Sequence, residues 1–268
     1  MDLKLLSKVR CFLIDLDGTL YLGDQLLPGA LSFIELLKER ELSFLLLTNN
    51  SSCHRRQYGK KLRGLGMDVP DDFIYTSGEA TARVLSRDQS GARVHVVGTP
   101  ALEEVFIEHG FELVDTDPDV VVLGFDTTIT YKKLWLLCDF VREGFPYIAT
   151  HPDLNCPIEG GYMPDIGAMI AFVEASTGRR PDIIVGKPSR TIVEAIEVKT
   201  GSCANELAMV GDRLYTDIAL GKHGLTTILV LSGETHREDL QDSEIQPDYV
   251  VENLEELATL VKKTPKVF

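Results

Sequence analysis

Short apolar runs, each ended by small or polar residues, alternate along this chain with stretches that repeat apolar residues at helical spacing. Cys11 to Asp15 is the first such run, and it leads into the string DLDGT. Leu31, Ile34 and Leu37 then recur at the period of a helix behind Pro28 and Gly29, which predicts a βα unit. Ser43 to Leu47 predicts a second strand, ending at Thr48, Asn49, Asn50, Ser51 and Ser52, residue types that cap helices and turn chains. A basic helix spanning Arg55 to Arg63 is closed by Gly64 and Gly66, and Phe73 to Thr76 predicts a third strand.

From about Glu79 the pattern starts afresh. Strands are predicted at Arg93 to Val97, Val120 to Leu123 and Tyr147 to Thr150, with helices between them. A polar loop, His151 to Pro164, precedes a helix from Ile166 to Thr177 whose stop signal is Gly178 to Pro181. The last series has strands at Ile183 to Val185, Leu207 to Val210, Thr227 to Leu231 and Asp248 to Val251. Its helices run to Thr200, to Gly221 or Gly224, and from Leu254 to Val261. The chain shows no internal repeat and no linker rich in Pro, Gly or Ser. The predicted fold is therefore α/β, a Rossmann-like doubly wound parallel sheet with a second α/β layer inserted into it. The expected boundaries are residues 1–79 and 183–268 for the two parts of the core and 80–182 for the insertion.

Composition narrows the function. Of 268 residues, 44% are apolar and 25% charged, an ordinary globular balance. A formal charge of −14 argues against a polyanion-binding surface, so a nucleic acid polymer is not an expected partner. A small anionic substrate remains compatible if a metal and a few cations are focused in a cleft. The five cysteines are odd in number, scattered and without a C-x-x-C spacing, which predicts reduced thiols in a cytoplasmic protein. The N-terminal MDLKLLSKVR lacks the form of a signal peptide, and no apolar run approaches the length of a membrane span. Monomer and homodimer both remain open.

The chemistry lies at the predicted strand ends, where open α/β sheets bind their ligands. Asp15 and Asp17, one residue apart, point to the same side if the segment stays extended. A carboxylate is an adequate nucleophile toward phosphorus once the repulsion between two anions is removed, so one aspartate can attack while the other handles the leaving group's proton. The second carboxyl then needs a pKa raised by burial or by its neighbour, and Asp17 is the residue expected to have it. A turn that follows a strand, with an aspartate bonded to a backbone N–H, is the plainer reading of the same string. Thr48, Asn49 and Asn50 offer hydroxyl and amide donors to phosphate oxygens, although such a trio also caps helices. Lys187, in GKPS, can hold a phosphoryl group as a point charge or simply be solvated. Asp212 and Asp217, in VGDRLYTD, supply with Asp15 the hard oxygens that Mg²⁺ prefers, or else form a cap and a surface acid.

In their order these segments resemble the haloacid dehalogenase superfamily, whose four motifs stand here as IDLDGTL, TNN, GKPS and VGDRLYTD. The roughly hundred-residue insertion, with ATHPD near its end, resembles the NagD-like subfamily and its α/β cap. The resemblance implies a Mg²⁺-dependent phosphatase acting on small phosphorylated metabolites, with Asp15 forming an aspartyl-phosphate and Asp17 acting as acid and then base. It implies phosphate binding by Thr48, Asn49, Asn50 and Lys187. It further implies a metal held by Asp15, the main-chain carbonyl of Asp17, and Asp212, with Asp217 behind them. In the cap loop His151, Asp153, Asn155 and Tyr162 are expected either to face the leaving group or to hold the cap's own turns, and His95 and His109 are read as structural. A phosphomutase on the same scaffold and a catalytically silent phosphate-binding protein are the alternatives. The second needs a lost nucleophile or ligand, and neither Asp15 nor Asp212 is lost.

Overall fold

The computed structural model describes residues 3–158 and 160–264. In chain order the elements begin with β1 (Cys11–Ile14), the hairpin β2 (Tyr21–Leu22) and β3 (Gln25–Leu26), α1 (Ala30–Glu39), β4 (Ser43–Thr48), α2 (Arg55–Gly64), β5 (Ile74–Thr76) and α3 (Ser77–Asp88). There follow β6 (Arg93–Val97), α4 (Pro100–Glu108), β7 (Glu112–Leu113), β8 (Val120–Leu123), α5 (Tyr131–Glu143), β9 (Tyr147–Ala149), β10 (Asn155–Ile158), β11 (Gly161–Pro164) and α6 (Ile166–Thr177). The chain ends with β12 (Ile183–Ile184), α7 (Arg190–Thr200), β13 (Leu207–Gly211), β14 (Thr226–Val230), α8 (Asp239–Asp242), β15 (Tyr249–Val251) and α9 (Leu254–Lys263).

Two compact units emerge. One comprises Met1–Leu47, Gly59–Ile74 and Ile196–Phe268, the other Thr48–Tyr58 and Tyr75–Ala195. The first is built on the sheet of order β15-β14-β13-β1-β4-β5. All four residues of β1 are buried, because a strand covered on both faces has no polar side to show. Its register runs parallel to β13 from Cys11↔Leu207 to Ile14↔Val210 and parallel to β4 from Cys11↔Ser43 to Ile14↔Leu46. The chain leaves β1 toward β4 and later returns to β13 on the other side. The carboxyl end of β1 is thus the point where strand order reverses, the place at which such sheets open a crevice.

The second unit has its own parallel sheet, β12-β9-β8-β6-β7, and its own core around Val121, Leu123, Leu137, Tyr147, Ile170 and Val173. Threonine or aspartate side chains cap its helices: Thr76 for α3, Thr99 for α4, Thr130 for α5 and Asp165 for α6.

The predicted strands and most predicted helices stand within a residue or two of their expected bounds. Three features differ. The polar loop after β9 folds into the antiparallel pair β10–β11, whose connection carries Gly160 at φ +80°. The helix expected after Asp212 is a 3₁₀ segment, Ile218–His223, preceded by turns. There the Asp217 carboxylate accepts from the Arg213 N–H (3.2 Å), and this local side-chain bond competes with helical pairing. The short pair β2–β3, the two-residue β7 and the four-residue α8 were not expected at all, being too brief to show a period.

Candidate active site

In the first unit, β1 delivers Asp15 and β13 delivers Asp212 side by side, since the Asp15 N–H donates to the Val210 carbonyl (2.9 Å). Asp217, from the turn after β13, joins them. One carboxylate oxygen of each lies within 4.8 Å of the others, and all three residues are buried. The pocket around Asp212 is tightly drawn. Its Oδ2 accepts from the Glu234 N–H (2.7 Å), and its main-chain carbonyl accepts from the Thr235 N–H (3.2 Å). A Cβ on Gly18 would stand 2.3 Å from Asp212 Oδ2, and one on Gly211 would stand 2.3 Å from Asp217 Cγ. Glycine is needed at 18 twice over, for that approach and for its φ of +85°. The Ser232 hydroxyl ties the turn down by donating to the Gly18 carbonyl (2.9 Å).

Three buried carboxylates this close cannot all stay ionised without positive charge. Part of it comes from Arg213, a residue that sequence reasoning missed although it sits inside VGDRLYTD. Burial works against its charge, but Asp15, then Tyr215, Asp212 and Glu234 outweigh that and push its pKa well above the usual value. Its Nε lies 3.0 Å from Glu234 Oε2. The donor set is entirely carboxylate oxygen, without thiolate or imidazole, and so suits a hard divalent cation. On that chemistry the cluster fits a metal.

Asp17 is exposed and lies outside the three-carboxylate group. Its Oδ2 instead accepts from the hydroxyl of Tyr21 (3.2 Å), a ring with no exposed surface and with the Lys61 ammonium 3.8 Å from its centroid. Tyr21 was legible only in retrospect, as a tyrosine four residues past Asp17.

In the second unit the TNN and GKPS segments come together through one side chain. Asn49 Oδ1 accepts from the Lys187 N–H (2.8 Å), while its Nδ2 donates to the Lys187 carbonyl (3.0 Å) and to Asp153 Oδ1 (2.9 Å). The expected amide donors of Asn49 are therefore committed within the protein. The Asn50 side-chain oxygen is engaged locally, Oδ1 accepting from the Ser52 N–H (2.9 Å) and hydroxyl (2.7 Å) in a turn that leads toward α2. Thr48 Oγ1 accepts from the Asn50 N–H (3.1 Å), which leaves its hydroxyl proton to donate elsewhere. Thr48, Asn49 and Lys187 are all buried.

The four cap-loop residues divide. His151 is fully buried, its Nε2 3.0 Å from Asp165 Oδ1 and its Nδ1 3.2 Å from Thr150 Oγ1, and Asp153 is buried against Asn49. These two hold the loop instead of facing outward, and Asp165, the α6 cap that anchors His151, was not singled out from sequence. Asn155 and Tyr162 are exposed on the β10–β11 pair, Tyr162 at 70%.

A parallel α/β sheet whose switch point gathers buried carboxylates fit for a cation defines a class of enzymes that work at strand ends. Known proteins specify the class. Residues 12–112 match the family described as haloacid dehalogenase-like hydrolase and residues 184–257 the one described as HAD-hydrolase-like. An acid sugar phosphatase of Staphylococcus aureus is 37% identical over 96% of this chain and 100% of its own. The crystal structure of a 4-nitrophenylphosphatase from Thermotoga maritima superposes with a TM-score of 0.93 at 50% identity, covering 96% of this chain and 99% of that one. NagD from E. coli K-12 superposes at 0.86 with 35% identity, covering 92% and 98%. The chain belongs to the haloacid dehalogenase superfamily, in its NagD-like subfamily, and is a hydrolase.

Proposed function

We propose that the protein is a Mg²⁺-dependent phosphomonoesterase that hydrolyses small phosphorylated metabolites through an aspartyl-phosphate on Asp15. The buried group of Asp15, Asp212 and Asp217 at the sheet's switch point carries this reading, and the activities of two relatives, a sugar phosphatase and a nitrophenylphosphatase, agree with it. In the first step a carboxylate oxygen of Asp15 attacks phosphorus, the bond to the leaving oxygen breaks, and the Asp17 carboxyl gives that oxygen its proton. In the second, Asp17 takes a proton from water, the water oxygen attacks phosphorus, and the bond to Asp15 breaks to release inorganic phosphate. Mg²⁺ bound by Asp15, the Asp17 main-chain carbonyl and Asp212, with Asp217 supporting, supplies charge that offsets the repulsion between carboxylate and phosphate.

The motif order supports Thr48 and Lys187 as phosphate ligands, Thr48 through its hydroxyl and Lys187 through its ammonium. Asn49, whose side chain is spent on Lys187 and Asp153, contributes its main-chain N–H. Residues 80–182 serve as the cap, between core parts 1–79 and 183–268. Asn155 and Tyr162, exposed on the β10–β11 pair, are the cap residues assigned to the leaving group. Phosphate release from 4-nitrophenyl phosphate, a sugar phosphate and a nucleoside monophosphate, with Mg²⁺ and with EDTA, tests the reading. Turnover that needs Mg²⁺ and disappears in Asp15→Asn is expected. Full activity in EDTA or in Asp15→Asn would refute it.

A further inference from the structure

The Asn49 side chain makes three bonds that fix it completely. An amide has one oxygen and two N–H donors; here the oxygen takes the Lys187 N–H, and the donors go to the Lys187 carbonyl and Asp153 Oδ1. Lys187 is thus clasped at the peptide units on both sides of its Cα. The clasp closes on a glycine, because a Cβ at Gly186 would stand 2.7 Å from Asn49 Oδ1 and 2.7 Å from His151 Cβ. An amide can turn over, and the turned form would set Asn49 Nδ2 against the Lys187 N–H. It would also set Oδ1 against the Lys187 carbonyl and Asp153 Oδ1, two acceptors, so Asp153 joins the Lys187 peptide units in holding the amide the observed way round and anchors the Nδ2 end to the loop before β10.

Asp153 is itself anchored. Its carbonyl accepts from the Gly167 N–H in the first turn of α6 (2.7 Å), and neighbouring His151 is bonded to the α6 cap Asp165. The Ser77 hydroxyl donates to the Asn49 carbonyl and secures the other end of that residue. Asn49, Asp153 and Lys187 are 6%, 6% and 2% exposed, so water does not replace a lost partner.

We propose that Asp153 is a positioning residue, which sets the orientation of the Asn49 amide and through it holds Lys187 in place. The proposal rests on the reading of Lys187 as a phosphate ligand. It gives the loop before β10 a part in the chemical step that is separate from choosing the leaving group.

The test is the steady-state kinetics of Asp153→Ala, Asp153→Asn, Asn49→Ala, the Asn49→Ala/Asp153→Ala pair and Lys187→Ala on 4-nitrophenyl phosphate and glucose 6-phosphate. Asp153→Ala is expected to lower kcat by about 10- to 100-fold, the usual loss when a group that orients a site residue is removed, with little change in KM and by the same factor for both esters. Asp153→Asn keeps the acceptor and the size and recovers most of that loss. The double variant falls no further than Asn49→Ala alone, since both act through one clasp. A loss that differs between the two esters makes Asp153 a leaving-group contact and overturns the proposal, as does an additive double variant. A loss of about 10-fold or more in Asp153→Asn overturns it too, and decides the matter even if the alanine variant does not fold. Undiminished activity in Lys187→Ala refutes the role of the lysine itself, whereas an inactive Lys187→Ala beside an unaffected Asp153→Ala refutes only the positioning.

Discussion

Three glycines separate backbone strain from damage to the carboxylate cluster. Gly18 has a φ of +85°, and a Cβ there would stand 2.3 Å from Asp212 Oδ2; at Gly233, outside the left-handed region, the corresponding distance is 2.0 Å; Gly23 has a φ of +56° and nothing within 4 Å. Gly23→Ala therefore tests strain alone. A left-handed alanine costs about 1–2 kcal/mol, which lowers Tm by about 2–8 °C in a protein of this size, and kcat and the Mg²⁺ requirement are expected to hold. Gly233→Ala tests the contact alone. Restoring an ordinary 3.4 Å separation moves the Asp212 carboxylate by more than 1 Å, against its bond from the Glu234 N–H.

A displacement near 1 Å in a catalytic group costs on the order of 100-fold in rate, so kcat/KM in Gly233→Ala is expected to fall by about that factor while half-saturation by Mg²⁺ rises. Gly18→Ala should show both effects, the Tm loss of Gly23→Ala and the kinetic loss of Gly233→Ala. The assays are 4-nitrophenol release across a Mg²⁺ titration and calorimetric melting. If Gly18→Ala and Gly233→Ala kept the wild-type rate and Mg²⁺ dependence, Asp212 would not be the constrained member of a working metal site, and the cluster would lose its standing as the active centre.

Other outcomes follow from the same geometry. Asp15→Asn is expected to lower kcat by at least about 10³-fold, as removal of a covalent nucleophile does. Its Tm in EDTA should hold or rise, because one of three crowded carboxylates has gone; a marked fall would mean the cluster is structural. Burial pushes the Cys11 thiol up from 9.0 to about 12. Its contribution to stability is thus complete below pH 9.0 and is lost as pH rises from there through about 12, where the unfolded thiol ionises first. Cys11→Ala should flatten the alkaline decline measured by urea unfolding, by up to about 1.4 kcal/mol per pH unit, and parallel slopes would refute the assignment. Leu102 is enclosed by Gly78, Gly98 and Gly124, at each of which a Cβ would come within 2.6 Å of a Leu102 methyl carbon. Leu102→Ala should cost about 3 kcal/mol by opening a cavity, read as a fall in the denaturant midpoint.

What the sequence could disclose, and what it could not, follows from the range of the interactions. Strand ends are local: an apolar run and the residue that stops it placed Asp15 and Asp212, and the register of β1 with β13 needed only that both runs be buried. The three-carboxylate group was accordingly within reach of the sequence. The use made of Asn49 was not. Its partners lie 104 and 138 positions away, and nothing in T-N-N says whether an amide points at a ligand or at another part of the chain. The same holds for His151 and Asp153, which composition makes plausible ligands and burial makes internal struts. Asp17 is the opposite case, because its sequence neighbours suggest a carboxyl beside Asp15, while in the fold it is exposed and accepts from the Tyr21 hydroxyl. In this chain, then, the carboxylates of the candidate metal cluster could be read from where strands stop. The amide that sets the lysine could be read only from the folded loop, and for that reason the clasp of Asp153, Asn49 and Lys187 is the sharper test of how the site is built.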